Sequence, residues 1–231
     1  MKRKILISIC LLIFSLQIKA QDHKFYLGIM SSMDYYKFQR DDYSITSSND
    51  TYLGYHLGIK AQYDINKKFS LRSGIDYSKI VIKFDYTGFL PIDAADPLLM
   101  NDPKNTIDKS YFLHIPLMAG YTIYKKGGFR FTPSFGYILN IKLTSRVNTT
   151  LITYDAQKNA YIETPQFTVY NNLLTYHSLQ LNLGCEYMLG KKYLITFEPY
   201  LNYIIDKNNS YLNILSSPFT FGGIVSVNYR L

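Results

Sequence analysis

Between Ser178 and Tyr203 the chain alternates residue by residue, and it does so twice. Leu179, Leu181, Leu183, Cys185 and Tyr187 interleave with Ser178, Gln180, Asn182, Gly184 and Glu186. After the turn Gly190-Lys191-Lys192, Tyr193, Ile195, Phe197, Pro199, Leu201 and Tyr203 interleave with Leu194, Thr196, Glu198, Tyr200 and Asn202. A period of two sends alternate side chains to opposite faces of a sheet. One face is apolar with aromatics toward its ends, and the other is largely small, polar or charged. Such a wall suits a barrel with lipid outside and a polar lumen inside.

The same alternation recurs along the chain and predicts eight strands: 24–38, 52–65, 69–84, 111–124, 129–141, the two arms of the hairpin, and 218–231. In the first, Phe25, Leu27 and Ile29 are expected outside and Met30, Ser32 and Asp34 inside. The connections alternate in length. Tight turns at 66–68, 125–128 and 190–192 share one rim, and long loops at 39–51, 85–110, 142–175 and 206–217 share the other. Short periplasmic turns and long extracellular loops mark outer-membrane barrels. The expected fold is therefore all-β, an eight-stranded antiparallel up-and-down transmembrane barrel over 21–231. The loop at 142–175 is expected to continue as strands beyond the membrane. Pro133 and Pro199 lie inside strands, where each removes a ladder donor, so bulges or water are expected there.

Residues 1–20 read as a cleavable signal peptide. Lys2-Arg3-Lys4 precedes an apolar stretch from Ile5 to Leu16, too short to span a bilayer, and Ala20 offers a small residue at the cleavage point. Export through the Sec pathway follows, with the outer membrane as destination. Losing this leader lowers the formal charge from +8 to +4, too little and too dispersed for a nucleic-acid partner. Cys185 is then the one cysteine left, which rules out an intrachain disulfide. Mean hydropathy is near zero, as an alternating barrel wall requires. The chain has 23 tyrosines and no tryptophan; tyrosine favours both strands and membrane interfaces.

The inward positions carry Lys60, Arg72, Arg130 and Arg230 against Asp64, Asp76, Glu186 and Glu198. An eight-stranded interior is just wide enough for side chains to fill, and lone buried charges are costly. A paired plug is expected, with a proton or ion path as the alternative. Reflecting the second strand onto the third about Lys67 sets Lys60 opposite Gly74 and Asp64 opposite Ser70. Lys60–Asp76 and Asp64–Arg72 then become diagonal pairs. Each short turn carries two lysines: Lys67 and Lys68, Lys125 and Lys126, Lys191 and Lys192. They are expected to ring the periplasmic rim, either as ordinary exposed turn residues or as contacts to anionic headgroups, at roughly 1 kcal/mol each.

No catalytic residue, metal site or cofactor is expected. His56 and His114 point inward with no acid evidently placed to orient them, and no nucleophile motif surrounds Ser178 beside His177. Asp93, Asp96, Asp102 and Asp108 share a loop without calcium-loop spacing. Tyr154, Tyr161, Phe167 and Tyr170 in the 142–175 loop either pack that loop on itself or offer a protein partner an edge for strand addition.

By the fourth strand the chain resembles the PorT-like outer-membrane β-barrel family of Bacteroidetes. The resemblance rests on Ile115-Pro116-Leu117 followed by Gly120-Tyr121. Leu57-Gly58, Phe69-Ser70-Leu71 running to Gly74-Ile75-Asp76-Tyr77-Ser78, Gly136-Tyr137, and Leu183-Gly184 with Glu186-Tyr187 support it. It covers about 24–231 and implies a barrel similar to OmpA and OmpX. It transfers no functional residues. The partners expected are the outer-membrane bilayer and the barrel-assembly machinery, with Tyr229 and Phe221 in the terminal strand as its signal beside Leu231. A non-enzymatic barrel for envelope integrity or surface interaction is the leading reading. An accessory component of a type IX-like secretion system and a soluble lipocalin-like binder are the alternatives.

Overall fold

A computed structural model of the chain describes residues 24–37, 51–85, 101–155, 157–158, 160–171, 173–205 and 218–231. The signal peptide expected over 1–20, the 39–50 and 206–217 loops, and Asp93 and Asp96 lie outside these residues. Ten strands form: β1 (Lys24–Lys37), β2 (Thr51–Asp64), β3 (Phe69–Asp85), β4 (Asn101–Tyr121), β5 (Tyr124–Lys126), β6 (Phe129–Asp155), β7 (Ala160–Tyr170), β8 (Leu174–Leu189), β9 (Tyr193–Ile204) and β10 (Phe219–Arg230). The wall runs β4-β3-β2-β1-β10-β9-β8-β6 and closes by pairing β4 with β6. Every pairing is antiparallel, so this is a closed eight-stranded barrel. β5 is a stub that continues β4 along β6, and β7 returns along β6 as a hairpin.

The alternation decides which face is which. Ile29, Leu57 and Leu117 are 68%, 68% and 63% exposed, while the intervening Met30, His56 and Met118 are buried. A continuous exposed apolar belt of this extent needs hydrocarbon around it. Aromatic pairs edge the belt. Phe69 and Tyr121 meet at 5.0 Å, and Tyr193 and Tyr229 at 5.6 Å, on the short-turn side. Tyr77 and Tyr111 meet at 5.9 Å, and Tyr203 and Phe219 at 5.2 Å, on the other. Amphipathic rings at both interfaces fix the depth of the wall in a bilayer. A lipocalin-like soluble barrel would turn these faces the other way, and that alternative is overturned.

Glycine is required at the tight turns. Gly127 and Gly190 have φ of 58° and 64°, a left-handed geometry that side chains with a Cβ resist. Asn66 makes the remaining short turn, its side-chain oxygen accepting from the Lys68 and Phe69 amides at 2.8 and 2.9 Å.

The prolines interrupt ladders, at Pro199 with no inserted residue and at Pro133 with one extra residue on the β4–β5 side, where Tyr121, Thr122 and Ile123 face Thr132 and Pro133. The β8–β9 ladder omits Leu183, Gly184, Glu198 and Pro199 and resumes with equal spacing on both strands. Pro133 stays in register with Leu183, and its missing donor coincides with the break between β4 and β5 at Thr122-Ile123. The irregularities in the β4–β6 ladder lie elsewhere, at Pro103/Asn105 and Tyr111/Phe112. The irregularity expected at Pro133 is thus present as a one-residue register shift at the strand break, while at Pro199 a skipped rung takes the place of a bulge. β4 starts ten residues before the expected Tyr111, and β6 runs on past Ile141 to Asp155. With β3, which stays paired to β4 as far as Asp85, and with β7 they build a four-stranded extension above the outer aromatic girdle.

Candidate functional site

Alternation places charged side chains inside a barrel wide enough only for side chains, so each must find its partner across the lumen. Six of them form one unbroken course of alternating sign that begins and ends on β2. Lys60 on β2 donates to Glu198 Oε1 on β9. Arg72 on β3 donates to the same oxygen at 3.1 Å and, through its other terminal nitrogen, to Glu186 Oε1 on β8. Arg130 on β6 donates from Nε to Glu186 Oε2, and from Nη1 to Asp64 Oδ2 at 2.6 Å, returning the course to β2. Neutral groups take up further capacity. Asn182 Nδ2 donates to Glu198 Oε2 at 3.0 Å, Gln62 Nε2 to Asp64 Oδ1 at 2.9 Å, and Arg72 Nη1 to Ser134 at 3.3 Å. Arg72, Glu186 and Glu198 are almost wholly buried, at 3%, 0% and 1% exposure. Beneath them the Arg130 guanidinium lies 5.7 Å from the centre of the Tyr26 ring, which with Leu194 forms the floor of a recess of about 390 Å³ at the short-turn end.

The β2–β3 register does set Lys60 opposite Gly74 and Asp64 opposite Ser70. The diagonal pairs Lys60–Asp76 and Asp64–Arg72 nevertheless give way to contacts across the lumen. Long side chains on a curved wall converge toward the axis, where strands distant in sequence meet. Arg230 lies half-buried at the rim opposite Tyr26 and takes no ion pair among the described residues; it ends β10 below the level of the charged course.

Asp76 belongs to a second cluster nearer the outer mouth. His56 Nδ1 lies 2.7 Å from Asp76 Oδ1, and Nε2 lies 2.8 Å from Asp34 Oδ2, which also accepts from the Tyr36 hydroxyl at 2.7 Å. The His114 ring stands 4.8 Å from that of His56, centre to centre. His114 Nε2 is 2.7 Å from Ser78 Oγ, and Nδ1 is 2.5 Å from Asn140 Oδ1. The expectation that no acid orients the inward histidines is corrected here. Ser32 pairs with His56, and His56 with Ser78, so Asp34 and Asp76 flank His56 diagonally. The reflection that aligned β2 with β3 reveals this arrangement when applied to all three strands.

A cavity of about 60 Å³ lies between the two clusters, lined by Asp34, His56, Lys60, Asp76, His114 and Glu198 among others. That is room for a few waters. Phe112, Tyr36, Tyr176 and Ile80 are buried around the outer end of the lumen.

Lys67, Lys68, Lys125, Lys126, Lys191 and Lys192 are all exposed on the short-turn rim. Lys125 and Lys126 belong to β5 rather than to the turn, and Lys192 Nζ sits 5.7 Å from the centre of the Tyr229 ring. At the opposite end β7 pairs with β6 and with no other strand among the described residues. Phe167, Val169 and Tyr170 on it are exposed.

A closed eight-stranded wall, a lipid-facing belt and a charge-filled interior define an integral outer-membrane β-barrel. The family described as "Outer membrane protein beta-barrel domain" matches residues 6–220, and the chain belongs to it. No curated protein matches the chain by sequence. Among solved structures, a major outer membrane protein from Thermus thermophilus is similar over 91% of this chain and 100% of its own, with a TM-score of 0.50 and 12% identity. Neisserial surface protein A is similar over 90% and 96% respectively, with a TM-score of 0.42 and 16% identity. The attachment invasion locus protein Ail of Yersinia pestis is similar over 90% and 97%, at 0.40 and 10%.

Proposed function

We propose that this barrel is a non-enzymatic, non-conducting anchor that holds the β3–β4–β6–β7 extension above the outer membrane for surface or partner contact. The alternating course Lys60–Glu198–Arg72–Glu186–Arg130–Asp64 carries the reading. It crosses the lumen from wall to wall, leaving no room for a hydrated ion path. Planar-bilayer recordings of the purified full chain should show no large, stable unit conductance; finding one refutes the plug.

The non-enzymatic part rests on access. Ser78, His114 and Asn140 line up by hydrogen bonding in the manner of a nucleophile, base and orienting group. Ser78 is fully buried, however, and the neighbouring cavity admits only a few waters. The surface role is supported by β7, whose second edge pairs with no strand among the described residues and can accept an added one. Pro165 and Glu163 on that strand moderate self-association. Crosslinking intact envelopes and recovering the chain should yield a partner that is lost on deleting residues 149–166; recovery of the same partners without that segment refutes the docking role.

A signal peptide over 1–20, Sec export and insertion by the barrel-assembly machinery belong to the same reading. Phe221 and Tyr229, both outward on β10, supply an aromatic signal for that machinery. The six rim lysines are proposed to meet anionic headgroups. The finer placement among PorT-like proteins of Bacteroidetes is supported by Ile115-Pro116-Leu117. There the β3–β4 ladder skips a rung and Ser73 Oγ donates to the Pro116 carbonyl at 2.8 Å. It carries the second reading, an accessory role in a type IX-like secretion system. Loss of secreted cargo in a deletion strain would favour that role over a purely structural one.

A further inference from the structure

We propose that His56, Asp76 and His114 form a binding site for a divalent transition-metal cation of the zinc class, inside the outer half of the lumen. All three are buried, and one donor atom from each lies within 4.8 Å of the others. A tetrahedral shell with bonds of about 2.0–2.1 Å spaces its donors roughly 3.3 Å apart. His56 Nδ1 and Asp76 Oδ1 are already 2.7 Å apart, so the approach falls mainly to His114.

The surrounding groups favour this assignment. Asn140 Nδ2 donates to Ser178 Oγ and to the Tyr176 carbonyl at 3.0 and 3.3 Å, which leaves Oδ1 as acceptor for His114 Nδ1–H. His114 Nε2 therefore presents its lone pair, accepting from the Ser78 hydroxyl. On the other side His56 Nε2 faces Asp34. Asp34 and Asn140 thus hold the outer nitrogen of each ring, and a cation would replace the proton between His56 Nδ1 and Asp76 and displace the Ser78 hydroxyl from His114 Nε2. Metal-binding histidines are held in this way.

Charge is the second, independent argument. The six-residue course below contains three cations and three anions and is neutral on its own. Asp34 and Asp76 face the imidazole of His56. Protonating His56 still leaves the cluster one charge negative, whereas a divalent cation beside neutral His56 makes it neutral. Asp34 Oδ1 is buried with no hydrogen-bond partner among the described residues, and Asp34 lines the cavity. That cavity could supply a water to complete the shell. Tyr36 and Tyr176 close over the site, so the ion would enter during folding.

The test uses the full chain refolded in detergent micelles with Co²⁺ as spectroscopic probe, and heat-modifiable gel mobility to show that each variant is folded. The wild type should take up one equivalent with a ligand-field spectrum that Zn²⁺ abolishes. His114→Gln and Asp76→Asn should lose it. Asn140→Ala should weaken uptake about tenfold to a hundredfold, as expected for a group that only holds a ligand in place. Nitrogen-15 resonances of the wild-type histidines supply a readout that needs no variant: Zn²⁺ present during refolding should shift both His56 and His114. Uptake that survives in His114→Gln, or wild-type resonances of a doubly protonated His56 unmoved by Zn²⁺, would overturn the site.

Discussion

Arg72 is the hub of the lumen, and its removal is the most informative perturbation. Its guanidinium serves Glu186 and Glu198 at once and is 3% exposed. Arg72→Leu keeps comparable bulk but leaves two cations against three anions, beside a cavity with room for only a few waters to screen the excess. Breaking a buried pair by removing one partner costs about 3–5 kcal/mol, and that is the expected loss. Glu198 retains Lys60 and Glu186 retains Arg130, so the loss should fall toward the lower end. The double variant Arg72→Leu/Glu186→Gln leaves Lys60–Glu198 and Arg130–Asp64 as two neutral pairs. It should recover roughly 2 kcal/mol of the deficit, because the unpaired carboxylate is gone and the new amide can still accept from Arg130. Urea titrations in lipid vesicles, read by gel mobility and circular dichroism, measure both; the chain has no tryptophan to report by fluorescence. Raising salt should change neither result much, since screening hardly reaches buried charges. A loss below about 1 kcal/mol, or a double variant less stable than the single one, would refute the coupled course.

Leu117→Arg places a cation in the middle of the lipid-facing belt and should cost about 2–4 kcal/mol; folding into vesicles followed by gel shift checks it. Gly184→Val should be strongly destabilising, because a Cβ there would stand 2.6 Å from the Thr132 carbonyl oxygen and 3.2 Å from Arg72 Nη1. Thermal unfolding of that variant would show the loss, and an unchanged midpoint would contradict the packing. Replacing the six rim lysines with glutamine should weaken stability in anionic vesicles by a few kcal/mol, at roughly 1 kcal/mol per lysine as an upper limit, and leave neutral vesicles unaffected. Equal stability in both lipids removes the headgroup contact. Deleting residues 149–166 should leave barrel stability within about 0.5 kcal/mol, since that segment lies beyond the closed wall; a larger drop in urea titrations would show that the hairpin supports the barrel.

The sequence by itself determined the wall. A strict period of two assigns each residue to a face without reference to any neighbour, and turn chemistry at Asn66, Gly127 and Gly190 then fixes where each strand reverses. The strand ends at the short turns, the β2–β3 register and the outward Leu181 and Phe197 could all be read this way. What alternation could not state is who meets whom inside. Lys60 and Glu198 are 138 residues apart in the chain, and only closure of β4 on β6 brings their strands across one narrow lumen. The diagonal partners read from a single hairpin therefore yielded to partners on the far wall, and Asp34, His56 and Asp76 became a cluster only when three adjacent strands were aligned together. The length of the β6–β7 extension was equally undetermined, because above the bilayer no hydrocarbon enforces the apolar face, and pairing between strands alone decides where they end.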